Sequence, residues 1–158
     1  MDNKNILIVE DMLDWRDQFA STLQRDGYNV HTVASYGEAL GEMKRNDYQL
    51  VVVDLRLSPV DENNRDGMIL LEDLAKLKIP AIVITGYSTA ELARKAFRDF
   101  DVIDFLEKSN LDLKKLRQVV KEAFQKTEKM EAELAELRAK FLRGETIRLP
   151  DENIKRRF

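Results

Sequence analysis

The chain contains no cysteine and a single histidine, His31, among its 158 residues. Without thiols there is no disulfide framework, no thiolate metal site and no cysteine nucleophile, a composition in keeping with a reducing compartment. Proline is scarce, with three in the chain; Pro80 stands just before an apolar run, where a strand start tolerates its missing N–H. Neither sign of charge dominates: a formal net charge of −3 and a pI near 5.4 leave no electrostatic footprint for nucleic acid or an anionic membrane. No apolar stretch approaches the ~20 residues that a membrane span needs. The N-terminus enters a five-residue strand pattern directly, without the basic segment and longer apolar run of a signal peptide. The expectation is a soluble cytoplasmic protein, its hydrophobic content of 44% enough for one ordinary domain and something left over.

What is present is alternation. Apolar strand-like runs fall at about 5–9, 29–33, 50–54, 81–84 and 102–106, with helical patterns between them at about 13–26, 36–46, 67–77 and 89–98. The first helix shows Leu13, Phe19 and Leu23 on one side, with Gly27 as its stop. Ser35 can cap the second helix, and Ser88 or Thr89 the fourth. Strands separated by helices signal βαβ units, hence a doubly wound α/β domain with a five-stranded parallel sheet. In such sheets ligands bind beyond the strand C-termini, where the strand order reverses.

Polar residues of one chemical kind follow these strands. Leu50-Val51-Val52-Val53 ends in Asp54, Ile6-Leu7-Ile8-Val9 in Glu10-Asp11, and Ala81-Ile82-Val83-Ile84 in Thr85-Gly86; Lys108 comes shortly after Val102–Leu106. An acid at the end of a buried strand is costly to desolvate and calls for a purpose. Taken singly the residues read blandly: Glu10-Asp11 as acids favoured by the next helix dipole, Thr85 as a turn or cap residue, Lys108 as a surface cation. Taken together, three carboxylates at one sheet edge repel unless a cation joins them. Hard oxygen donors with no histidine or cysteine nearby suit Mg²⁺. An aspartate beside that ion is a competent nucleophile toward phosphorus, with Lys108 and the Thr85 hydroxyl able to meet the phosphoryl oxygens.

In this order and placement, Glu10-Asp11, Asp54, Asp66-Gly67, Thr85-Gly86 and Phe105-Leu106-Glu107-Lys108 resemble the receiver domain of two-component response regulators, over about residues 4–125. The resemblance implies a flavodoxin-like sheet of order 2-1-3-4-5 and a phosphoacceptor domain rather than an enzyme in the usual sense. Asp54 would take phosphate from a sensor histidine kinase or phosphotransfer protein. Glu10, Asp11, Asp54 and the backbone carbonyl of Arg56 would hold Mg²⁺, Thr85 and Lys108 would contact the phosphoryl group, and Phe105 falls on the switch aromatic position. Phe105 reads equally as a plain core aromatic. Two departures stand out. The loop after the acceptor, Leu55 to Asp66, carries about five extra residues, and Ser109 replaces the proline that usually follows the lysine.

From Leu113 helical periodicity runs on without glycine or proline to Gly144. With Leu113, Val120, Thr127, Leu134 and Phe141 at position a, position d falls on Leu116, Ala123, Met130 and Leu137, a coiled-coil spacing. The expected organisation is a receiver domain at 1–125, an extended fifth helix or coiled coil at 113–143, and an irregular tail at 144–158. Val120, Met130, Leu134, Leu137 and Phe141 would form the seam of a homodimer. The alternative is that the stripe packs on its own domain. Glu131, Glu133 and Glu136 with Lys126, Lys129, Arg138 and Lys140 read as a solvated face with i,i+4 support more readily than as a partner code. Lys155-Arg156-Arg157 is too short to argue for DNA. The functional expectation is therefore a phosphorylation-controlled signalling protein, read out by dimerisation or by a downstream protein docking on the long helix. A constitutively dimeric adaptor indifferent to phosphorylation and a stand-alone phosphate shuttle are the rivals.

Overall fold

The structure is a computed structural model describing residues 4–58 and 60–147. Five strands, β1 (Asn5–Val9), β2 (Asn29–Val33), β3 (Leu50–Val53), β4 (Ala81–Thr85) and β5 (Asp104–Glu107), alternate with α1 (Leu13–Arg25), α2 (Tyr36–Arg45), α3 (Asp66–Leu77) and α4 (Ala90–Asp99). A 3₁₀ turn (Lys108–Asn110) leads into α5 (Leu113–Leu142). All strand pairs are parallel, in the order β2-β1-β3-β4-β5. The order reverses between β1 and β3, whose C-termini carry Glu10 and Asp54.

The near-continuous apolar strands follow from burial on both faces. Leu7, Val9, Val51, Val53 and Val83 share one core with Leu70, Leu71 and Leu74 of α3 and Ala96 of α4. By strand alternation, Ile6, Ile8, Leu50, Val52, Ile82 and Ile84 point to the opposite face and are equally buried. Phe19 and Leu23 of α1 and Leu116, Val119 and Val120 of α5 are buried too. Ser35 and Thr89 cap α2 and α4 through the N–H groups of Glu38 and Leu92. Ser88 instead donates to Glu107.

Several expectations change in detail. Asp54 lies one residue beyond β3, and β5 begins at Asp104, a few residues after Asp101 with its left-handed φ of 53°. Leu13 is 57% exposed and contributes no core face. Val120, expected in a dimer seam, is fully buried. No peptide bond among the described residues is cis. The chain divides after Lys121 into two compact units; in the second, Met130, Leu134, Leu137 and Phe141 are all exposed. No described helix is long and apolar enough to cross a membrane. The expected tail lies largely outside the described residues, Lys155-Arg156-Arg157 entirely so.

Candidate functional site

The backbone ladder delivers the acids. Glu10 N–H donates to the Val33 carbonyl and Asp54 N–H to the Val9 carbonyl, both at 3.1 Å, so each acid is held by one hydrogen bond past the end of its strand. Glu10 is 1% exposed, Asp54 6% and Thr85 1%; Asp11 is half-buried. Carboxylate oxygens of Glu10, Asp11 and Asp54 all lie within 4.8 Å of one another. Lys108 reaches in from the turn after β5, its Nζ 2.7 Å from Glu10 Oε2 and 2.8 Å from Asp54 Oδ2. Of the expected site residues, Asp11, Asp54, Thr85 and Lys108 line, with Arg56, an open cleft of about 350 Å³, and Glu10 lies buried beneath them against Lys108. Phe105 is partly buried and packs against the core.

Electrostatics at the cluster are finely opposed. Burial pushes the Glu10 carboxyl up to about 7, with the Asp54 charge adding to the rise and the Lys108 hydrogen bond working against it. For Lys108, burial alone would lower the pKa, but the bonds to Asp54 and Glu10 outweigh it and hold the ammonium above its ordinary value. One cation among three acids leaves the cluster short of positive charge. Glu10 Oε1 accepts the Met12 N–H at 3.0 Å. Oε2 has the Lys108 ammonium at 2.7 Å and no further partner among the described residues. A buried carboxylate oxygen so placed, in an all-oxygen donor set, fits a hard divalent cation such as Mg²⁺.

At the mouth, Tyr87 and Asn64 are residues that the sequence did not single out, whereas Trp15, early in α1, lines the cleft. The Arg56 guanidinium lies 5.5 Å from the centre of the Tyr87 ring, and Lys108 Nζ lies 5.5 Å from that of Trp15. Tyr87 N–H donates to Thr85 Oγ1 at 3.2 Å. The extended loop is closed at its base by Asn64, whose Oδ1 accepts the N–H groups of Leu57 at 3.0 Å and Asp66 at 3.2 Å. A trans peptide holds its C=O and N–H antiparallel. Fixing the Leu57 N–H therefore fixes the direction of the Arg56 carbonyl, while Arg56 N–H donates to Asp54 Oδ1 at 3.2 Å. No periodicity announces these pairings, since they depend on loop geometry.

Residues 6–136 match the response regulator receiver domain family. The chain is 30% identical over 134 residues to the transcriptional regulatory protein ZraR of Escherichia coli K12, covering 84% of this chain and 29% of that one. Among solved structures it resembles a receiver domain protein (CheY-like) from Methanospirillum hungatei JF-1, with TM-score 0.71, 27% identity, and 82% and 99% of the two chains covered. It also resembles NtrX from Brucella abortus, with TM-score 0.71, 31% identity, and 85% and 30% covered. The chain spans less than a third of the length of the curated relatives it matches. With sheet order, acidic cluster and family match in agreement, the chain belongs to the response regulator receiver domains of two-component signalling.

Proposed function

We propose that Asp54 is the phosphoacceptor, taking a phosphoryl group from a phosphohistidine of a sensor kinase or phosphotransfer protein. An Asp54 carboxylate oxygen would form the new P–O bond as the P–N bond breaks, the imidazole nitrogen keeping the electron pair and taking up a proton. The observation that carries this reading is the Lys108 ammonium 2.8 Å from Asp54 Oδ2 inside a cluster of three acids. Lys108 holds the Asp54 side chain in place at 2.8 Å and can follow the charge onto the phosphoryl oxygens. Thr85, its hydroxyl at the end of β4, is the natural donor to a phosphoryl oxygen. Glu10, Asp11, Asp54 and the Arg56 carbonyl would hold Mg²⁺, which when bound supplies neutralising charge for phosphoryl transfer. Phe105 would register the change as a shift in apolar packing. The domain would span residues 1–125, in the cytoplasm, with the helix at 113–143 as its output through dimerisation or partner binding.

The test is direct. Incubation with Mg²⁺ and a small phosphodonor should add one phosphoryl group by intact mass, and Asp54→Asn should show none. A wild-type protein that gains no adduct defeats the phosphoacceptor reading. It would leave the second one, an adaptor dimerised through its exposed helical stripe whatever its phosphorylation state.

A further inference from the structure

Arg56 has a backbone already committed to the site and a side chain with donors to spare. Its N–H donates to Asp54 Oδ1 at 3.2 Å. Among the described residues its guanidinium makes no hydrogen bond or ion pair, and its one directed contact is with the Tyr87 ring, 5.5 Å from the centre. Stacking occupies the flat face of a guanidinium and leaves its in-plane N–H groups available. Arg56 is half-buried and Tyr87 is 50% exposed, so the pair stands on the open side of the cleft that Asp54 and Lys108 line. A fork of donors aimed by a ring is suited to a flat anion with two oxygens. The cleft, at about 350 Å³, has the size of a small-molecule site and exceeds what a phosphoryl group alone requires.

We propose that the cleft takes acyl phosphates as direct phosphoryl donors, with the Arg56 guanidinium receiving the carboxylate that departs. The inference rests on Asp54 being the phosphoacceptor and names a donor class for it that needs no partner protein. In an in-line displacement the leaving oxygen lies opposite the attacking one. Asp54 is 6% exposed, at the floor of the cleft, so the leaving oxygen faces the mouth, where Arg56 stands. An Asp54 carboxylate oxygen forms a P–O bond as the bond from phosphorus to the acyl oxygen breaks. The electron pair stays on that oxygen, the acyl group leaves as a carboxylate, and no proton moves. Its two oxygens share the charge, and the guanidinium meets them with two parallel N–H groups. Because this charge appears only as the bond breaks, the contact is stronger in the transition state than with the bound donor, and so raises the rate. Lys108, 2.7 Å from Glu10 and 2.8 Å from Asp54, is engaged on the acceptor side and leaves the departing group to Arg56. A phosphoramidate gains nothing from Arg56, since its amine departs neutral and offers a cation no charge to hold.

Three small donors test it on the full-length protein with Mg²⁺, the rate of phosphoryl uptake being followed by intact mass. Acetyl phosphate and carbamoyl phosphate release carboxylates, whereas phosphoramidate releases ammonia. Arg56→Met keeps the length of the side chain and a contact for the Tyr87 ring but has no N–H to offer. In this variant the ratio of the acetyl phosphate rate constant to the phosphoramidate one should fall at least about tenfold, and the carbamoyl phosphate ratio should fall with it. Arg56→Lys, with the charge but not the fork, should recover only part of the loss; full recovery overturns the two-point contact. Damage to the acceptor, to metal binding or to folding slows all three donors alike and leaves the ratios where they were, so the ratio reads the leaving group alone. Wild-type ratios in Arg56→Met overturn the inference, whether the rates fall together or hold, as does a wild type that accepts phosphate from phosphoramidate only. A wild type that accepts phosphate from none of the three defeats the phosphoacceptor reading and this inference with it. Uptake at Asp54 with unchanged ratios defeats this inference alone.

Discussion

Gly67 is seated directly against the main chain of Asp54: a β-carbon there would run into the Asp54 carbonyl oxygen and the Leu55 backbone. Backbone cannot give way as a flexible side chain can, so the first turn of α3 and the acceptor's peptide are locked together. Gly67→Ala should therefore cost about 3 kcal/mol, read as a lower urea midpoint, and should slow phosphoryl uptake by displacing Asp54. A variant that unfolds at the wild-type midpoint would mean that α3 can slide away freely.

Glu10 gives a pH signature in metal-free protein. Its carboxyl is raised from 4.5 to about 7, first by burial, so between those values the folded chain keeps a proton that the unfolded chain has released. The stabilisation from this group is whole below about pH 4.5 and is lost as pH rises through about 7. Measured with chelator present, the stability of wild type relative to Glu10→Gln should fall by on the order of 3 kcal/mol across that window. Adding Mg²⁺ above pH 7 should restore stability to the wild type and less to the variant. A difference between the two proteins that stays flat with pH would show Glu10 ionised throughout.

Asn64 is expected to act on the metal site without touching it. Asn64→Ala leaves the Leu57 and Asp66 N–H groups unanswered and frees the Arg56 carbonyl. It should cost about 1–3 kcal/mol and weaken Mg²⁺ binding, followed through the emission of Trp15, whose ring lies close to Lys108. Asn64→Asp keeps an accepting oxygen and should restore most of both. Unchanged Mg²⁺ affinity in the alanine variant would separate the loop from the site.

The sheet and its acidic cluster were legible because they depend on short-range pattern. A largely β-branched run such as Leu50–Val53, set between helical patterns, reads as a strand buried on both faces, and the residue ending it then falls at the sheet's C-terminal edge. The seam was half legible. Its apolar spacing runs unbroken through α5, and nothing in that spacing tells Val120, consumed by the domain's own core, from Leu134, left exposed. Asn64 and the Arg56–Tyr87 stack were not legible at all, being products of a loop whose path no periodicity encodes.

That loop is a natural place to splice in new chain. Its two ends are already fastened to one side chain, Asn64, and Val60 within it is 91% exposed. Because closing a longer loop adds only slowly to the entropic cost, an epitope or labelled peptide inserted between Val60 and Asn63 can be carried at the mouth of the cleft with the receiver fold intact beneath it.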